Sequence, residues 1–313
     1  MNRAFVFPGQ ASQAVGMGAE LAAAFPTARR VFEEVDDALS QHLSRVMFEG
    51  PESELMLTEN AQPAIMAVSL SVVRVLEQDG GVYLADKARF VAGHSMGEYS
   101  ALAAVGALAI GDASRLLKRR GQAMQEAVPV GEGAMAALLG LDLEAVREVA
   151  KEAAQGEICD PANDNAPGQV VVSGHKAAVE RAIEIAAGRG ARRAVMLPVS
   201  APFHCALMAP AADVMAEALA EVVLQPPAVP LVANVTATSV VDPDVIRRLL
   251  VEQVTAMVRW RESVLYIKDD GVEALVELGA GKVLTGLARH IDRDLAGTAV
   301  DSPAAIEALI KTL

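Results

Sequence analysis

RFVAGHSMGEYSALAAV, residues 89–105, changes character at its centre. Arg89–Ala92 closes an apolar run of strand length, and Glu98–Val105 reads as a helix. Between them stand Gly93, Ser95 and Gly97. A serine on a tight strand-to-helix turn is held in a strained backbone conformation, and flanking glycines relieve the crowding. Its hydroxyl then sits at a helix N-terminus, where free N–H groups and the helix dipole favour developing negative charge. Ser95 is therefore a candidate nucleophile. In a chain with 24 glycines the G-x-S-x-G pattern alone is weak; the strand before it and the helix after it give it weight. His94 is expected to point away from the site and to serve the structure.

Outward from this turn, short apolar runs alternate with helical periods. Arg3–Phe7, Val229–Val232 and Val272–Leu278 read as buried strands. Val31–Ser40, Ala64–Gln78, Asp112–Ala127, Leu207–Val223, Pro243–Val251 and Lys282–Arg289 read as helices. The alternation predicts an α/β fold with a mainly parallel sheet. One segment differs. Strand-like Ala134–Leu139, Gly168–Ser173 and Arg192–Leu197 enclose helical Leu143–Ala154 and His175–Ala187, between Pro/Gly clusters. This β-α-β-α-β pattern predicts a small inserted ferredoxin-like subdomain, residues 129–197, within a larger catalytic part formed by residues 1–128 and 198–313. A ligand is expected in the cleft between them.

Composition narrows the partners. The chain of 313 residues is 52% hydrophobic but only 4% aromatic, so small aliphatic side chains fill its core. A net charge of −13 disfavours nucleic acid. No apolar stretch is long enough to span a membrane, and the N-terminal MNRAFVFPGQ does not read as a signal peptide. Cys159 and Cys205 lack metal-ligand spacing and fit reduced thiols, so a cytoplasmic location is expected.

His204, in the two-proline loop of SAPFHCALMAP (200–210), is the candidate base for Ser95. A hydrolase triad needs an acid between serine and histidine, yet none of Asp112, Asp142, Asp160 and Asp164 ends an obvious sheet strand. Arg120 is a second oddity. At about 100° per residue it falls near 40° on a face set by Leu116, Ala113, Met124 and Leu117, inside an apolar stripe. An inward guanidinium needs an anion, either an internal Asp or Glu or a substrate carboxylate. The second choice predicts an acyl group that carries its own negative charge.

Seven ordered motifs complete the picture: FVFPGQASQAVGMG (5–18), LTENAQPAI (57–65), GHSMGEYSALAAVGAL (93–108), KRRGQAMQEAVPVGEGAM (118–135), NDNAPGQVVVSG (163–174), VSAPFHCALM (199–208) and ELGAGKVLTGL (277–287). Together they resemble the malonyl-CoA:acyl carrier protein transacylases and the related acyltransferase domains of fatty acid and polyketide synthases, over essentially the whole chain. The resemblance implies a hydrolase-like core and a ping-pong transfer of malonyl through Ser95, with His204 as base. It implies that the main-chain carbonyl of Gln253 orients His204, and that Gln10 and Met96 N–H groups form the oxyanion hole. It further implies that Arg120 holds the malonyl carboxylate and that Gln62 lines the pocket. Asn163 and Asn165 would line the pantetheine channel, and Phe203 would fill the space that a 2-methyl group needs. The implied substrates are malonyl-CoA and the phosphopantetheine thiol of holo-acyl carrier protein; no metal or permanently bound cofactor is implied. An acidic carrier would want a basic rim, for which Lys118, Arg119, Arg192, Arg193 and Arg261 are candidates. The chain departs from the family pattern at Ala11, where glycine is common, at Ala280, where proline is common, and at Ala256-Met257, where Asn-Pro is frequent. A serine esterase, a malonate-processing transacylase and a non-catalytic carrier-binding module remain as rival readings.

Overall fold

The computed structural model describes residues 2–313; Met1, with which the larger predicted part begins, lies outside the described residues. Six strands form the main sheet: β1 (Arg3–Phe7), β2 (Ala88–Gly93), β7 (Leu231–Val232), β8 (Ser239–Val240), β9 (Ala274–Leu278) and β10 (Ala296–Val300). Their spatial order is β10-β9-β1-β2-β7-β8, with every pairing parallel except β7–β8. Alternate residues of β1 explain why the sheet is covered twice. Phe5 and Phe7 enter the larger core, against the helix Thr58–Gln78 and its neighbours. Ala4 and Val6 enter a second core, with Trp260, Val264 and Leu284. Such two-sided burial requires near-continuous apolar strands, which is how they read in the sequence.

The insertion is a second sheet of four strands, β3 (Gly133–Leu139), β4 (Cys159–Ala166), β5 (Gln169–His175) and β6 (Arg193–Met196), in the order β4-β5-β3-β6. All its pairings are antiparallel, and the helices Leu143–Ala154 and Lys176–Gly188 pack on it through their own core. The β-α-β-β-α-β chain order is ferredoxin-like. It has one strand more than the sequence reading gave. β4 has no apolar run: it carries Pro161, Asn163, Asp164 and Asn165, and as an edge strand with shifts in register it tolerates them. The sequence reading also missed the edge strand β10 and the helices Trp260–Asp269 and Pro303–Ile310.

Four loops meet at the carboxyl ends of the parallel strands, where open α/β sheets bind ligands. Pro8–Gln10 follows β1, Ser95 follows β2, Asn234 follows β7 and Gly279 follows β9. The turn after β2 is closed so tightly that only glycine fits at its ends. A Cβ on Gly93 would stand 1.9 Å from the Gly97 carbonyl carbon, and one on Gly97 would stand 2.4 Å from the Phe7 carbonyl oxygen. Gly93→Ala is expected to cost about 3 kcal/mol of stability by forcing this turn open. Chemical denaturation measures it, and a loss within experimental error would refute this account of the turn.

Candidate active site

Ser95 has φ +52° and His204 has φ +59°, so two non-glycine residues occupy the left-handed region. Their backbones bring Ser95 Oγ to 2.7 Å from His204 Nε2. His204 Nδ1 lies 2.9 Å from the main-chain oxygen of Gln253. A carbonyl oxygen can only accept, so Nδ1 carries the proton and Nε2 presents its lone pair to the serine hydroxyl. No carboxylate is involved. Asp112 pairs with Arg115, Asp142 caps the helix after it, Asp160 accepts from the Ala206 N–H, and Asp164 pairs with Arg261. Substitution of Asn-Pro by Ala256-Met257 leaves the Gln253 carbonyl in place. The Gln253 and Ala256 N–H groups still bond back to Leu249 and Glu252, so the end of that helix is closed as a helix end should be.

Burial is the largest influence on His204, and the nearby Arg120 charge adds to it; together they lower its pKa to about 3. The imidazole is thus neutral, as a base must be. Arg120 is 2% exposed, as the helical periodicity predicts. No Asp or Glu lies within ion-pair distance of it among the described residues; the buried Glu98 acts on it through space and through the Gln253 amide, without direct contact. Its Nη2 donates to Ser95 Oγ at 3.1 Å and to Gln253 Oε1 at 3.0 Å, while Nη1 donates to Gln62 Oε1 at 2.9 Å. Burial lowers its pKa from the usual arginine value.

A cavity of about 260 Å³ opens over this group. Gln10, Ser95, Arg120, Asn163, Asn165, Phe203 and His204 all line it, with an apolar wall that includes Met135, Val199 and Leu287. Gln62 does not line it. It is fully buried behind Arg120, held by Thr58 Oγ1 at 3.0 Å, and the expectation of a pocket-lining side chain is corrected to one that supports the guanidinium. The N–H groups of Met96 and Gln10 donate to no protein acceptor among the described residues. Ala11, where the family favours glycine, has φ +79°, and its N–H donates to Gln13 Oε1 at 2.8 Å.

His94 does not point away. It lines the same cavity, with Nε2 2.8 Å from Asn165 Oδ1 and its ring tilted against Trp260, and so ties the serine turn to β4. Asn234 and Glu98 are absent from the sequence reading. Asn234 Oδ1 accepts from the Ser95 N–H at 2.8 Å, and its Nδ2 donates to the Gly93 carbonyl at 2.7 Å. Its signal is a lone polar residue two positions after the apolar strand β7, at the carboxyl edge of the sheet. Glu98 is buried, and desolvation raises its carboxyl to about 8 against the opposing pull of Asn234, Arg120 and Gln253.

Among the rim cations, Lys118 is engaged by Glu59 at 2.9 Å and Arg261 by Asp164 at 2.8 Å. Arg119, Arg192 and Arg193 are exposed, and Arg119 faces a different groove, beside Glu217 and Glu221.

The fold and this serine–histidine pair define an acyltransferase. Residues 4–296 match the family model described as an acyl transferase domain, and the chain belongs to that family. It is 47% identical over 308 residues to the malonyl CoA-acyl carrier protein transacylase of Escherichia coli K12, covering 98% of each chain. Identity to the Bacillus subtilis protein of that name is 45% over 311 residues, 99% of this chain and 96% of the relative. The crystal structure of an acyl-carrier-protein S-malonyltransferase from Bartonella henselae superposes with a TM-score of 0.97 at 55% identity, covering 100% and 99% of the two chains. A malonyl-transacylase solved in complex with its type II PKS acyl-carrier protein gives 0.97 at 44%, covering 100% of both.

The histidine sets a pH dependence. A lowered folded-state pKa means that the unfolded chain binds the proton first, so this contribution is fully present above about pH 6.5 and is lost as pH falls toward 3. Relative to His204→Ala, the native protein should lose about 1.4 kcal/mol per pH unit within that window. Parallel denaturation of the two proteins between pH 6.5 and 5 checks this; a constant difference would contradict it.

Proposed function

We propose that this acyltransferase moves malonyl from malonyl-CoA to the phosphopantetheine thiol of an acyl carrier protein, through a malonyl ester on Ser95, in the supply of fatty acid biosynthesis. The observation that carries the choice of acyl group is Arg120: a buried guanidinium with no carboxylate in direct contact among the described residues, 3.1 Å from Ser95 Oγ, on the wall of the cavity. A neutral acyl group gives such a charge nothing to meet. The names of the full-length relatives support the same donor and acceptor.

In this reading His204 Nε2 takes the Ser95 proton as Oγ attacks the thioester carbonyl carbon. The oxyanion forms against the N–H groups of Met96 and Gln10, which have no other acceptor among the described residues. The C–S bond then breaks, and the departing CoA sulfur takes the proton from His204. A carrier thiol enters by the reverse route: His204 accepts its proton, sulfur attacks the malonyl-serine, and the proton returns to Ser95 Oγ. Every bond and proton balances without a metal or redox partner. Asn163 and Asn165 flank the path of the pantetheine arm, and the Phe203 ring occupies space that a 2-methyl substituent would need. We assign residues 129–197 to a subdomain that closes one side of the cleft, and residues 1–128 and 198–313 to the catalytic part. The free, buried thiols Cys159 and Cys205 support a cytoplasmic location. Among the described residues no helix is long and apolar enough to cross a membrane.

Two measurements test this. Mixing the protein with malonyl-CoA should leave a malonyl adduct on Ser95 by mass spectrometry, and adding a holo-carrier should discharge it onto the carrier thiol. Discharge to water at the same rate would favour an esterase, and no adduct would favour a binding module. Arg120→Ala should lower kcat/KM for malonyl-CoA by roughly 100-fold while sparing neutral acyl-CoA, the cost of leaving a carboxylate unpaired in a buried site being about 3 kcal/mol. Undiminished preference for malonyl would remove Arg120 from the substrate site.

A further inference from the structure

Glu98 sits in the first turn of the helix behind Ser95, is 1% exposed, and takes no part in the proton transfers above. Both of its oxygens accept hydrogen bonds, Oε1 from the Asn234 main-chain N–H and Oε2 from Gln253 Nε2. The same Gln253 nitrogen donates to the Ser95 carbonyl at 3.0 Å and stands 3.3 Å from Asn234 Oδ1. Three acceptors therefore surround Gln253 Nε2. With the nitrogen held there, the other end of the amide is its oxygen, and Oε1 accepts from Arg120 Nη2 at 3.0 Å. A reversed amide would set its NH₂ against the guanidinium and its oxygen against all three acceptors.

We propose that Glu98 is a positioning residue: it locks the orientation of the Gln253 side-chain amide and, through it, aims the Arg120 guanidinium at a carboxylate on the acyl group. The inference rests on the reading of Arg120 as the carboxylate site. A carboxyl group is required at 98 because two donors converge on it. Each oxygen of a carboxyl group has a lone pair to accept with in either protonation state, whereas glutamine offers one accepting oxygen and a nitrogen that can only donate. The donor would face Gln253 Nε2, and the amide of Gln253 would turn over and push Arg120 aside. The amide relay also keeps Glu98 beyond ion-pair distance of Arg120. A carboxylate in direct contact would occupy the edge that the substrate needs.

The test compares native protein with Glu98→Gln in single-turnover acylation of Ser95 by malonyl-CoA and by acetyl-CoA, followed by mass spectrometry, with thermal unfolding alongside. The expected result is a loss of about ten-fold or more with malonyl-CoA beyond any loss with acetyl-CoA, the scale of one misdirected hydrogen bond to a charged group. Equal losses in a folded variant would overturn the assignment and leave Glu98 a structural residue. Should Glu98→Gln not fold, Glu98→Asp keeps both acceptors but withdraws them by one C–C bond. It should show the same skew at smaller size, and an unchanged malonyl-to-acetyl ratio in that folded variant overturns the proposal. Failure of the underlying reading looks different: native protein would show no malonyl adduct, or no preference for malonyl over acetyl.

Discussion

A main-chain carbonyl decides the chemistry of this site. The oxygen of Gln253 holds the Nδ1 proton of His204, and that one contact fixes the tautomer, the ring orientation and the lone pair offered to Ser95. A carboxylate in the same place would also stabilise the imidazolium once formed. A carbonyl orients the ring while contributing no full charge. The difference suits a neighbourhood that already contains a buried cation, and it leaves the closed end of the helix Pro243–Glu252 as the structure that must not move.

Both partners of the pair are held at positive φ, a conformation that costs of order 1 kcal/mol or more for a residue with a Cβ. The surrounding contacts over-determine it. Asn234 clamps the serine turn from β7, the Gly93–Gly97 approach closes it from within, and His94 anchors it to β4 through Asn165. The serine turn is thus fixed from both sheets, so the inserted sheet does more than roof the cleft. Ala11 carries a similar strain in the loop that bears Gln10, where glycine would avoid it.

The sequence made the centre of the fold legible because two-sided burial leaves apolar strands that need no partner to be recognised. It hid the edges. β4 is polar and contains proline, because an edge strand beside a ligand cleft is selected for what it presents and not for what it buries. Arg120 was legible for the opposite reason: a charge on an apolar stripe violates the helical pattern, and violations mark sites. Gln253 as a base-orienting carbonyl was invisible to residue chemistry, since every residue has a carbonyl; only resemblance to a family pointed to it. Asn234, Glu98 and the support role of Gln62 were missed because their partners are separated by tens to hundreds of positions and their side chains face polar atoms inside the protein.

The buried arginine and the buried histidine also constrain each other. Arg120 is one of the forces that hold His204 neutral, second only to burial itself. A carboxylate brought against the guanidinium offsets that charge, and the imidazole's affinity for a proton must then rise. If His204 is the base and Arg120 the carboxylate site, as proposed, an acyl group with its own negative charge strengthens that base, whereas a neutral acyl group of equal size leaves it weak. Under the proposed function, selection for the charged acyl group would then operate in the chemical step as well as in binding, through residues already in contact.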